Sequence, residues 1–186
     1  MTTIIFNKPY GVLSQFTPEH GHPSLADFKF PKGVYPAGRL DADSEGLLLL
    51  TSDGALQAHI SDPRHKTPKT YWAQVEREIT AEALAALRRG VTLKDGPTLP
   101  CGAAALPDPG LAPRVPPVRF RKTVSTSWAA LVLKEGRNRQ VRRMLASVGF
   151  PVLRLVRRAI GPLTFDGLEP GSWRELTEKE IRSLRF

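Results

Sequence analysis

The sequence holds a single cysteine, Cys101, so no disulfide can form within the chain. With no histidine at a telling spacing, that residue reads as packing rather than chemistry. No run of about 18 apolar residues occurs, so no membrane-spanning helix is expected. The start, Met1-Thr2-Thr3-Ile4-Ile5-Phe6-Asn7-Lys8, lacks the basic beginning and long apolar core of a signal peptide, and a cytoplasmic location is the expectation. Gly-Lys-Ser/Thr phosphate loops and Gly-x-Gly-x-x-Gly are also missing, so no nucleotide cofactor is expected. His20 and His22, with only Glu19 close by, make a poor metal site and read as surface residues.

Acid is scarce in one place. Between positions 112 and 158 stand twelve Lys/Arg (Arg114, Arg119, Arg121, Lys122, Lys134, Arg137, Arg139, Arg142, Arg143, Arg154, Arg157, Arg158) against Glu135 alone, a net of +11. The whole chain is only +9, so both flanks are slightly acidic. A basic centre between near-neutral flanks points to a polyanion partner, and ten arginines to two lysines favour forked contacts to phosphate.

The acids gather instead in Gly38-Arg39-Leu40-Asp41-Ala42-Asp43-Ser44-Glu45-Gly46, which runs into Leu47-Leu48-Leu49-Leu50. A buried strand following a short acidic loop is how a protein presents one charged side chain firmly into a cleft. Asp41, Asp43, Glu45 and Gly46 match positions one, three, five and six of a calcium loop. The twelfth position is Ser52, where a bidentate Glu is needed, which argues against calcium.

Along the chain, positions 3–6 and 12–16 read as strands, and Ser24 caps a short helix through Phe28. Asp53 caps a helix over 55–60. Lys69–Glu76 alternates, with Tyr71, Ala73 and Val75 on one face. Thr80 opens a helix with Leu84, Ala85 and Leu87 on its apolar side, closed by Gly90. A short strand at 91–93 leads to a turn at 95–97. Prolines crowd 96–117, an irregular excursion expected to touch the ligand or a partner. Strands are expected at 127–133 and 152–160, and Thr177-Glu178-Lys179-Glu180 is a capping box for a last helix. The expected class is α+β on a mixed, mainly antiparallel sheet with flanking helices.

Between these last strands Asn138 is expected to cap a helix closed by Gly149. On its wheel Val141, Met144, Leu145 and Val148 share one face and Arg139 and Arg143 the opposite one, suited to phosphate. Arg142 falls beside the apolar stripe, where an inward guanidinium needs a carboxylate. Asp41, Asp43 and Glu45 all qualify.

Taken together, these stretches resemble the pseudouridine synthases of the RsuA/RluA kind. Gly38-Arg39-Leu40-Asp41 with Ser44-Glu45-Gly46-Leu47-Leu48-Leu49-Leu50-Thr51 resembles their first signature, Lys69-Thr70-Tyr71 the second, and Glu135 through Met144 the third. The three occur in the family's order, and the resemblance spans about Phe6 to Leu176.

The resemblance implies the pseudouridine synthase catalytic fold, with two lobes around an RNA cleft, in a single catalytic domain over 1–186 without an N-terminal S4 domain. It implies isomerisation of a uridine in large-subunit (23S) ribosomal RNA, by a monomer that needs neither cofactor nor metal. Asp41 becomes the catalytic aspartate, Tyr71 the residue against the flipped base, and Arg142 the ion-pair partner of Asp41. Arg39 props the gap left by the uridine, and Leu155 lines the base pocket. Arg137, Arg139, Arg143, Arg154 and Arg157 join Arg39 as RNA contacts. The competing readings are an RNA-binding protein without catalysis and a metal-dependent nuclease using Asp41, Asp43 and Glu45.

Overall fold

The computed structural model describes residues 1–185. In chain order the strands are β1 (Thr3–Lys8), β2 (Tyr35–Pro36), β3 (Glu45–Thr51), β4 (Lys69–Glu76), β5 (Thr92–Leu93), β6 (Gly96–Pro97), β7 (Gly102–Leu106), β8 (Thr126–Leu133), β9 (Val152–Ile160), β10 (Leu163–Thr164) and β11 (Trp173–Glu175). The helices are α1 (Gly54–Ser61), α2 (Ala81–Arg89), α3 (Gln140–Ser147) and α4 (Glu178–Ser183). Two compact units result, one made of Met1–Thr67 with Arg157–Phe186, the other of Pro68–Val156. The chain passes between them inside β9.

In the first unit β1 pairs antiparallel with both β3 and β11, and β2 pairs with β3. Every residue of β3 is buried, because both faces of this sheet are covered. Leu47 and Leu49 join Ile5, Leu56, Ile60, Leu176 and Leu184 on one side. Leu48 and Leu50 join Ile4, Phe6, Leu25 and Val34 on the other. That explains the unbroken leucine run, since an alternating pattern suits a strand with one wet face. Each leucine so buried contributes about 2 kcal/mol. Asp53 caps α1 by accepting from the Ala55 and Leu56 amides. Ser24 with Asp27, and Thr177 with Glu180, form complete capping boxes.

The second unit pairs β4 with β8 and β8 with β7, all antiparallel. Ala83, Leu84 and Leu87 of α2 and Val141, Met144 and Leu145 of α3 cover Ala73, Val75, Ala129 and Leu131. Thr80 caps α2 through the Ala83 amide, and Gly90 closes it at φ +92°.

Three expectations are corrected. Residues 12–16 form no strand, only one isolated bridge from Leu13 to Ser24. Their backbone is used elsewhere: the Val12 carbonyl accepts from Lys8 Nζ, and the Leu13 amide donates to the Pro23 carbonyl. The proline-rich stretch contains a strand after all, since Gly102–Leu106 adds to the edge of β8 despite a sequence of three alanines with little intrinsic strand preference. Asn138 does not cap α3. Arg139 stands at the cap position in the left-handed region (φ 48°, ψ 35°) with no side-chain cap, and Gln140 Oε1 accepts the Arg137 amide instead.

Candidate active site

Within the first unit, the acidic loop is a turn fastened at consecutive residues. The Ser44 amide donates to the Asp41 carbonyl at 3.0 Å, closing the turn over Ala42 and Asp43. Just before it, Leu40 is buried and its amide and carbonyl share one hydroxyl: Ser14 Oγ accepts from Leu40 N (3.1 Å) and donates to Leu40 O (2.6 Å). At the centre of the turn the Ala42 carbonyl accepts from the Gly11 amide at 2.6 Å and from Lys8 Nζ at 3.4 Å. Asp41 and Asp43 are half-buried, Ser44 and Glu45 are buried, and Arg39 is exposed. The result is a carboxylate on a backbone that has few ways to move.

The strand after the turn explains why this geometry is reproducible. Gly46 has φ +104°, and a Cβ there would lie 2.4 Å from the Arg157 carbonyl oxygen. Only glycine lets β3 and β9 approach so closely. Arg157 itself is buried, with Nε donating to Leu47 O (2.8 Å) and Nη1 to Arg39 O (3.3 Å).

Lys8 is the most unusual group of this unit. It is fully buried, and its Nζ donates to the Pro9 (2.9 Å) and Val12 (2.8 Å) carbonyls as well as to Ala42. Burial pushes its ammonium down to about 7; Glu45, Asp43 and Asp41 oppose that shift, and Arg157 adds to it. The β1–β3 register sets Lys8 opposite Gly46, directly beneath the turn.

In the second unit Tyr71 is half-buried on β4, on the same face as the fully buried Ala73 and Val75. Arg142 is half-buried on α3 next to buried Val141. Leu155, on β9, is 5% exposed and belongs to this unit's core. A family model described as RNA pseudouridylate synthase matches residues 2–147. The chain belongs to that family.

Its relatives agree. Ribosomal large subunit pseudouridine synthase E of Vibrio vulnificus is 58% identical over 174 residues, 94% of this chain and 74% of its own length. The protein of the same name from Xanthomonas campestris is 55% identical, covering 98% of this chain and 99% of the relative. A solved pseudouridylate synthase structure superposes with a TM-score of 0.82 at 31% identity, covering 98% of this chain and 73% of that one. As a pseudouridylate synthase the chain is an isomerase that converts uridine to pseudouridine.

Against this family frame the arginines expected to meet RNA divide into three groups. Arg39 and Arg139 are exposed. Arg137 and Arg143 converge on Asp95: Arg143 Nη1 lies 2.8 Å from Oδ1, Arg137 bonds the same oxygen, and both guanidiniums hold that carboxyl well below its usual range. Arg154 and Arg157 are 8% and 3% exposed, with Arg154 donating to the Ala112 carbonyl and Arg157 to those of Leu47 and Arg39. Among the described residues no group of three or more His, Cys, Asp or Glu is placed to hold a metal ion. None of the described helices is long and apolar enough to cross a membrane.

Sequence reasoning missed Lys8, Ser14 and Asp95. Lys8 left one signal, a lone cation ending the buried strand Ile4-Ile5-Phe6-Asn7 before Pro9. Ser14 and Asp95 left none, because a hydroxyl or carboxylate far away in sequence carries no local pattern.

Proposed function

We propose that this chain isomerises a specific uridine of large-subunit (23S) ribosomal RNA to pseudouridine, with Asp41 as the catalytic carboxylate. The observation that carries this reading is the Asp41 turn, fastened through Leu40, Ala42 and Ser44, in a member of the pseudouridylate synthase family. Relatives named for the ribosomal large subunit supply the substrate class.

The reaction breaks the bond between ribose C1′ and uracil N1 and makes one between C1′ and C5. C5 loses a proton and N1 gains one, so nothing is oxidised, reduced or hydrolysed, and no cofactor is demanded. In this reading Arg142 is the ion-pair partner of Asp41. Tyr71 stacks on the extruded base, and aromatic stacking with phosphate contacts offsets the few kcal/mol that flipping costs. Arg39, exposed beside the anchored Leu40, props the vacated place in the RNA. Leu155 supports the pocket from the core rather than from an open wall. Arg139 meets phosphate, and so do Arg137 and Arg143 when they leave Asp95. The chain works as one catalytic domain, as a monomer, in the cytoplasm.

Asp41→Asn tests the proposal. It should bind large-subunit RNA with nearly normal affinity and form no pseudouridine when modified positions are mapped. Product from Asp41→Asn removes Asp41 from its role, and no product from the unaltered protein leaves RNA binding without catalysis as the function.

A further inference from the structure

The segment from Ala112 to Val124 is outside the roles assigned above, yet it is built rather than slack. Arg114 turns its guanidinium back on its own loop, donating to Pro116 O (2.9 Å) and Pro117 O (3.1 Å), with a weaker reach to Leu153 O (3.4 Å) on β9. Arg154 takes the Ala112 carbonyl at 3.0 Å. At the far end Arg121 pairs with Glu76 of β4 at 2.7 Å, and the Val124 amide closes a turn onto the Arg121 carbonyl. Two arginines thus brace the entry and one braces the exit.

What the brace holds up is apolar and aromatic. Val115 is 83% exposed and Phe120 is 56% exposed, whereas the other described phenylalanines are buried (Phe6, Phe150) or partly buried against a core (Phe16, Phe28, Phe30, Phe165). A ring left in water gains nothing from folding and keeps its whole face available to a partner, and its setting among cations says which kind. Phe120 stands between Arg119 and Arg121, with Lys122 next, and all four side chains are exposed. No Asp or Glu occurs anywhere from 112 to 134. An acidic protein surface would satisfy the cations but has no special use for the ring; a single-stranded polynucleotide offers phosphates for the cations and base faces for the ring.

We infer that the braced loop carrying Phe120 is a second RNA-docking surface, in which Phe120 stacks on an unpaired base while Arg119 and Lys122 take the adjoining phosphates. The inference rests on the proposed function, which makes RNA the substrate, and it gives the proline-rich excursion the task of holding an unpaired stretch of that RNA.

The test measures binding of the full chain to a short oligouridine and to transcribed large-subunit RNA over a range of salt. Phe120→Ala should weaken binding to both about 5- to 100-fold, the worth of one stacked base, with the salt dependence unchanged. Phe120→Tyr should bind like the unaltered protein, because its ring still stacks. Arg119→Ala with Lys122→Ala should lower the salt slope by roughly 1.5, about 0.7 for each phosphate contact to a single strand. Unchanged affinity in Phe120→Ala, or a Tyr variant as weak as the Ala variant, overturns the inference. So does a defect seen only with ribosomal particles and not with naked RNA, since that puts a protein on the ring. Pseudouridine formation by the unaltered protein is followed in parallel: its absence defeats the proposed function, while the binding series decides the docking surface by itself.

Discussion

Lys8 makes the stability of this protein depend on pH in an unusual direction. Its proton is held less tightly in the folded chain, where burial brings it down from 10.5 to about 7. Below about 7 the lysine is charged in both states and the fold bears the full penalty. Between there and 10.5 only the unfolded chain keeps the proton, so folding releases it and stability climbs with pH. Above 10.5 the effect is gone. The shift from 10.5 to about 7 caps the penalty at roughly 5 kcal/mol. Between pH 7 and 9 the gain should be about 2 kcal/mol, approaching one proton's worth of slope. Urea unfolding midpoints read at intervals across that range will show it, and Lys8→Met should flatten the rise. The variant's absolute stability matters less, because it removes a buried charge while stranding the Pro9 and Val12 carbonyls that Nζ now serves. If Lys8→Met keeps the same slope as the unaltered protein, the proton belongs to another group and the reasoning fails.

Other substitutions probe the frame around the turn. Gly46→Ala forces a Cβ to within 2.4 Å of the Arg157 oxygen at φ +104°, and it should cost more than about 3 kcal/mol in urea unfolding; a normal midpoint would mean the strands can separate. Asp53→Ala removes the cap of α1 and the 2.8 Å contact to Arg185, a loss of about 1–2 kcal/mol, whereas Asp53→Asn keeps the cap and should lose less. Arg139→Ala should lower the salt slope of RNA binding by about one, the signature of one lost phosphate contact. Asp95→Asn frees Arg137 and Arg143 and should steepen that slope; an unaltered slope would make those two arginines structural.

Much of this frame was readable in advance wherever the cause was local. Asp53, Thr80 and Thr177 cap helices because a side-chain oxygen reaches an amide two or three residues on, and such spacing is visible in a sequence. The alternation from Lys69 to Glu76 and the leucine run after Gly46 gave β4 and β3 with near-correct ends. Asn138 misled for the converse reason: it is a good cap by type, yet the backbone at Arg139 enters the helix from a left-handed residue with no side-chain cap, and Gln140 Oε1 holds the Arg137 amide ahead of the helix. The burial of Arg154 and Arg157 was not legible, because charge alone suggests surface. Both face inward on β9, where main-chain carbonyls supplied by distant segments receive them. Gly102–Leu106 escaped notice because its pairing with β8, rather than its own residues, makes it a strand.

The unit that carries Asp41 is assembled from two stretches of chain separated by all of 68–156, whereas the other unit is one uninterrupted run. Leu47 waits 110 residues for the guanidinium of Arg157. On a ribosome the uninterrupted unit can complete its core while the Asp41 turn still lacks its β9 neighbour, so competence waits until Arg157 and the residues after it have been made. A chain cut short before Arg157 carries every signature motif and still has no finished seat for its carboxylate.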